Sequence, residues 1–120
     1  MTLGNCNRFQ LRTFDEPWIA AGTIVAPDSL FGQDGNDELF GNEGNDTIEG
    51  GYGSDQVDGG PGDDTISGTQ NADTIQGGEG DDRISEVDGA VDRVDCGPGA
   101  DVVFADTDDI VAASCEDVRR

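Results

Sequence analysis

From residue 37 to residue 85 a lone aliphatic side chain stands among polar neighbours once every nine positions: Leu39, Ile48, Val57, Ile66, Ile75 and Ile84. The glycine spacing of these stretches forbids helices. One buried residue flanked by two polar ones is instead the pattern of a three-residue strand with a single face turned inward, and the mostly β-branched choice fits a strand. The pattern therefore predicts short strand, turn, short strand, turn, with two nonapeptides making one coil of a solenoid. Upstream, 23–31 places Asp28 and Leu30 nine residues before Asp37 and Leu39 without the glycines, and reads as a degenerate coil. Downstream, after a one-residue insertion, Asp92-Arg93-Val94 and residues 96–103 keep the alternation, and Asp109-Ile110-Val111 reads as a last strand.

The columns around the aliphatic residue are as regular as the residue itself. Six nonapeptides run without interruption across 32–85. Their first positions are Gly32, Gly41, Gly50, Gly59, Gly68 and Gly77; their fourth are Gly35, Gly44, Gly53, Gly62, Asn71 and Gly80. Glycine in two fixed columns implies a backbone that requires positive φ or close approach of another chain segment. Asn71, the exception, is the residue that best tolerates the left-handed region after glycine. The second position is looser: Gly51, Gly60 and Gly78 alternate with Gln33, Asn42 and Thr69. At the sixth stand Asp37, Asp46, Asp55, Asp64, Asp73 and Asp82.

Charge sharpens the picture. The 120 residues carry 27 acidic and six basic side chains, a formal net charge of −21, and 19 glycines. Composition alone would suit an acidic disordered segment, because so few large apolar residues offset little chain entropy. The repeat argues otherwise. A phosphate backbone would be repelled everywhere, so nucleic acid is excluded as a partner, and an anionic membrane surface is disfavoured on the same ground. The partner that such a field selects is a cation. No apolar run approaches the ~20 residues of a membrane span. The first ten residues hold no apolar stretch of the signal-peptide type, from which we expect either a removed signal or another export route.

These residues resemble the G-G-x-G-x-D-x-U-x repeat of the RTX, or haemolysin-type, calcium-binding proteins. The resemblance implies an all-β fold, a right-handed parallel β-roll (β-solenoid) of stacked nonapeptides closed by N- and C-terminal caps. It also implies one calcium ion between turns that lie directly above each other, two repeats apart. Each turn would supply its sixth-position carboxylate and main-chain carbonyls. The metal ligands so implied are Asp37, Asp46, Asp55, Asp64, Asp73 and Asp82, with carbonyls of Gly32, Gly41, Gly44, Gly50, Gly51, Gly53, Gly59, Gly60, Gly62, Gly78 and Gly80. Calcium, a hard ion taking six to eight oxygens, suits that donor set. Alternation of turns sorts the aspartates onto two edges, Asp37/Asp55/Asp73 and Asp46/Asp64/Asp82, which gives about four core sites. Asp101 lies 19 residues beyond Asp82, one coil plus the insertion, and raises the number to as many as six. An EF-hand is excluded, since its loop needs flanking helices that the glycine spacing forbids.

The ends differ from the middle. Residues 1–22 concentrate Phe9, Leu11, Phe14, Trp18 and Ile19 and read either as a cap on the first coil or as a segment that docks on a neighbouring subunit, with Phe9, Phe14 and Trp18 as anchors. Residues 86–120 form degenerate repeats and a C-terminal cap. Cys96 and Cys115, 19 apart, would stack at strand spacing within the ~4.4–6.8 Å that a disulfide needs; buried free thiols are the alternative. Cys6 is left over, free or paired between chains.

The chain has no histidine, which removes zinc-protease motifs, Ser-His-Asp triads and Cys-His pairs. Acid pairs such as Asp63-Asp64 are explained by the repeat, so we expect no enzyme. The expected function is an extracellular, secreted or cell-surface calcium-binding β-roll with a structural role and calcium ions as partners. The competing expectation is a homo-oligomer, the subunit of a calcium-stabilised filament, surface layer or matrix assembled end to end. A flat threonine ladder for ice binding is not present, because position seven reads Glu38, Thr47, Gln56, Thr65, Thr74, Arg83.

Overall fold

A computed structural model describes residues 19–21, 29–32 and 34–120. Twelve short strands follow one another: β1 (Ile19–Ala21), β2 (Ser29–Phe31), β3 (Glu38–Phe40), β4 (Thr47–Gly51), β5 (Gln56–Asp58), β6 (Thr65–Thr69), β7 (Thr74–Gln76), β8 (Arg83–Glu86), β9 (Arg93–Asp95), β10 (Val102–Ala105), β11 (Ile110–Val111) and β12 (Asp117–Arg119). Odd strands make one sheet and even strands the other, each with six strands in chain order, every pairing parallel. Successive strands thus alternate sheets, and the chain winds as a β-solenoid of about five coils. No helix occurs among the described residues.

Register fixes the coil at 18 residues through the repeats, as Glu38 faces Gln56 and Thr47 faces Thr65. With the same parity, each aliphatic of column eight lies directly over another. Leu39, Val57, Ile75 and Val94 stack in one sheet; Leu30, Ile48, Ile66, Ile84 and Val103 stack in the other. The two ladders face each other and constitute the core, with Cys96, Ala105 and Cys115 at its C-terminal end. Residues 19–21, which the sequence placed in the N-terminal segment, form β1 and pair with β3; Phe9, Phe14 and Trp18 lie outside the described residues.

Coil length changes after residue 86. Thr74 faces Arg93 and Arg83 faces Val102 at a spacing of 19, Arg93 faces Ile110 at 17, and Val102 faces Asp117 at 15. Cys96 and Cys115, 19 residues apart across this shortening end of the solenoid, have Cα atoms 5.1 Å apart and are joined by a disulfide.

The glycine columns separate by cause. Position four is left-handed throughout, with Gly44 at φ 115° and Asn71 at φ 80°. Position two is left-handed as well, at Gly60 (φ 84°) but also at Asn42 (φ 65°) and Thr69 (φ 78°). Position one has ordinary φ, and there the reason for glycine is space.

Candidate metal centre

The sixth-position aspartates stand at the turns between the sheets, and coil stacking aligns them in two columns. On one edge the Asp37 N–H donates to Asp55 Oδ1 at 2.8 Å, that of Asp55 to Asp73 at 2.7 Å, that of Asp73 to Asp92 at 2.8 Å and that of Asp92 to Asp109 at 2.9 Å. On the other, Asp46 donates to Asp64 at 2.8 Å, Asp64 to Asp82 at 2.8 Å and Asp82 to Asp101 at 2.7 Å. All nine carboxylates are buried. One oxygen of each upper carboxylate is thus committed to the coil below.

The other oxygen is the informative one. Oδ2 of Asp55, Asp64, Asp73, Asp82, Asp92 and Asp101 is buried with no hydrogen-bond partner. Burying a polar oxygen unpaired costs roughly 1–3 kcal/mol, more for a charged one, so six in two rows call for a ligand. The first-position glycines mark where it belongs. A Cβ at Gly59 would lie 2.6 Å from Asp64 Oδ2 and 2.7 Å from the Gly77 carbonyl of the next coil; at Gly50 the same atom meets Asp55 Oδ2 at 2.6 Å and the Gly68 carbonyl at 3.0 Å. Gly32, Gly41 and Gly77 repeat the arrangement with the carbonyls of Gly50, Gly59 and Cys96. Each of these five turns therefore forms a cradle that joins a carboxylate oxygen to a carbonyl one coil on, and any side chain at position one would fill it.

Electrostatics agree with the geometry. Burial, opposed by the main-chain N–H that each accepts and reinforced by neighbouring acids, pushes Asp55, Asp64 and Asp73 from 3.8 up to about 8 and Asp82 up to about 7. Asp92 rises to about 6, and Asp101 is raised by the same burial. To be ionised at neutral pH, the columns require a cation. The donor set, hard oxygens from carboxylates and carbonyls, fits calcium.

The structure brings together the four aspartate pairs that the sequence named and extends each column by Asp101 or by Asp92 and Asp109. Gly44, Gly53, Gly62 and Gly80 occupy left-handed positions at the stacked turns, as do Gly51, Gly60 and Gly78. Two features escaped the sequence reading. Position five forms a second ladder of opposite sense: the N–H groups of Ser54, Asp63, Asp81 and Ala100 donate to Oδ1 of Asn36, Asn45, Asp63 and Asp81 one coil earlier, at 2.8–2.9 Å. The Asx-rich column Asn36, Asn45, Asp63, Asp81 was its signal. Secondly, Glu86 occupies a first position, over Gly68, and is buried there among acids.

Residues 31–66 and 58–85 match the model of the RTX calcium-binding nonapeptide repeat, in four copies. No curated protein and no solved structure matches the chain.

Proposed function

The coils across residues 31–85 belong to the RTX calcium-binding nonapeptide-repeat family, and on that premise we propose that the protein is a calcium-dependent β-roll module whose role is binding and structural rather than catalytic. The observation that carries the reading is the double row of buried Oδ2 atoms without partners, four of which, on Asp55, Asp64, Asp73 and Asp82, are set against a glycine-shaped cradle. The sixth-position aspartates would hold calcium, with carbonyls of the glycine turns completing the shell. Counting one cradle per first-position residue from Gly32 to Gly77 gives six sites.

Magnitudes support a structural role for the ions. Each nonapeptide orders nine residues at ~1–2 kcal/mol apiece and buries a single aliphatic side chain worth ~1.5–3 kcal/mol. Main-chain pairing has to cover the deficit, and it does so only once the acid columns between the coils are neutralised. A module built this way works where calcium is plentiful, and the Cys96–Cys115 disulfide suits an oxidising compartment; both favour an extracellular location.

The end-to-end filament is the weaker reading. β12, the last strand of its sheet, carries the Asp117–Arg119 ion pair at 2.8 Å, and Arg119 lies 5.5 Å from the Phe104 ring centroid. A charged, side-chain-occupied edge strand resists pairing with another chain. The test of the main reading is circular dichroism: coil-like in chelator at neutral pH and β-rich on adding millimolar calcium. A β-rich spectrum that chelator leaves unchanged overturns it.

A further inference from the structure

Glu86 breaks the repeat at the one position where glycine makes room for a cation. It ends β8, its side chain is fully buried, and both its carboxylate oxygens accept the Gly68 N–H, at 2.6 and 3.0 Å. Elsewhere that N–H goes to a main-chain carbonyl: Gly32 donates to Glu49 and Gly59 to Gln76. A Cβ built on Gly68 would fall against Asp73 Oδ2 and within 2.7 Å of both Glu86 oxygens. This cradle thus presents a second carboxylate where its equivalents present a carbonyl.

More acid converges on the same aspartate. Carboxylate oxygens of Asp73, Asp88 and Asp92 lie within 4.8 Å of one another. Asp73 and Asp92 are 2% and 0% exposed, and Oδ2 of all three is buried without a partner. Asp88 is held by its turn: its N–H and that of Gly89 donate to Asp106 Oδ2, and its own Oδ1 accepts the Ala90 N–H at 2.8 Å, so its free oxygen is positioned rather than swinging in solvent. Asp88 lies in the coil that one inserted residue lengthens to 19.

We propose that Asp73, Glu86, Asp88 and Asp92 form a distinct cation site, an all-carboxylate centre that binds a hard multivalent ion more tightly than the carboxylate–carbonyl cradles and prefers trivalent ions to calcium more strongly than they do. Affinity at oxygen sites is set by ligand charge and rigidity, and four acids gather here against the one or two of a regular cradle. The two lone pairs on each Glu86 oxygen leave acceptor capacity beyond the Gly68 N–H. The inference rests on the calcium reading above, because Asp73 serves both.

The test is titration of the full chain, first with calcium against a chromophoric chelator and then with terbium excited directly. One site tighter than the rest by on the order of tenfold or more is expected, with terbium filling it before the others. Glu86→Gly restores the repeat's own residue and Asp88→Asn removes charge from an exposed turn; each should merge the tight site into the weaker class. Glu49→Gln, at an exposed acid of β4 outside both columns, should leave the tight site unchanged. Glu86→Gln, which preserves shape, covers the case in which the glycine variant fails to fold. A single class of sites in the wild-type protein, or a tight site indifferent to all three changes around it, overturns this inference while leaving calcium-dependent folding intact. Absence of any calcium binding overturns the calcium reading and this one with it.

Discussion

A glycine in this molecule is there for one of two reasons, and substitution separates them. Gly59 has ordinary φ, but its missing Cβ is the space between Asp64 Oδ2 and the Gly77 carbonyl. Gly59→Ala should therefore abolish one calcium in a binding isotherm without changing the protein's charge. Gly89 is the converse: nothing lies within 4 Å of its Cβ position, yet φ is +91°. Gly89→Ala should lower stability by about 1 kcal/mol and leave calcium stoichiometry alone; equal calcium loss in both variants would count against the cradle. Thr69 has the strain already. A β-branched residue at φ 78° costs of order 1–3 kcal/mol, only partly offset by the hydrogen bond from its hydroxyl to the Gly51 carbonyl at 2.6 Å. Thr69→Gly should raise the thermal midpoint in calcium. The sequence made the sixth-position acids and the fourth-position glycines legible because each recurs every nine residues. It hid the left-handed second position, because Asn42 and Thr69 tolerate there what glycine does freely. Glu86 was hidden for a different reason: alone, it is one more acid in an acidic chain.

At the scale of elements, β3 to β8 follow from the aliphatic column, since one buried residue per strand with constant spacing permits a single register. The later strands are harder to read because coil length drifts through 19, 17 and 15. β9, β10 and β11 keep enough alternation to be found. β12 does not: its pairing with β10 depends on a shortened final coil. What stabilises that irregular end is the Cys96–Cys115 disulfide, with both half-cystines buried in the core cluster. Closing a loop of this size contributes roughly 3 kcal/mol by the chain-entropy estimate. The Cys96 carbonyl also lines the Gly77 cradle, 2.9 Å from the Cβ position. Reducing the disulfide should therefore release β11 and β12 and weaken the cation at Asp82, while the cradles at Gly32, Gly41 and Gly50 still fill. Hydrogen exchange with calcium present checks this: fast amides from 110 to 119 with slow ones in β3 to β6 are expected, and uniform loss of protection would show instead that the roll unfolds as one unit.

For the whole molecule the decisive quantity is proton and cation occupancy of the two acid columns. In the metal-free roll, burial raises Asp55, Asp64 and Asp73 to about 8 and Glu86 to about 9, against 3.8 and 4.5 for the unburied groups. The folded state then binds more protons than the unfolded chain across that interval, so stability without metal falls as pH rises. It is fully present below the unfolded values and lost as pH climbs through the folded ones. Protons and calcium are thus alternative occupants of the same oxygens. In chelator, acidification from about pH 8 to about pH 5 should restore β structure that calcium restores at neutral pH. Calcium affinity should weaken over the same interval, because each ion must then displace protons. Following the β signal in circular dichroism as a function of pH, with and without calcium, gives the two limbs. A chelated chain that gains structure as pH rises, or calcium binding indifferent to pH between 5 and 8, would mean that the buried carboxylates are not where folding and ion binding are coupled.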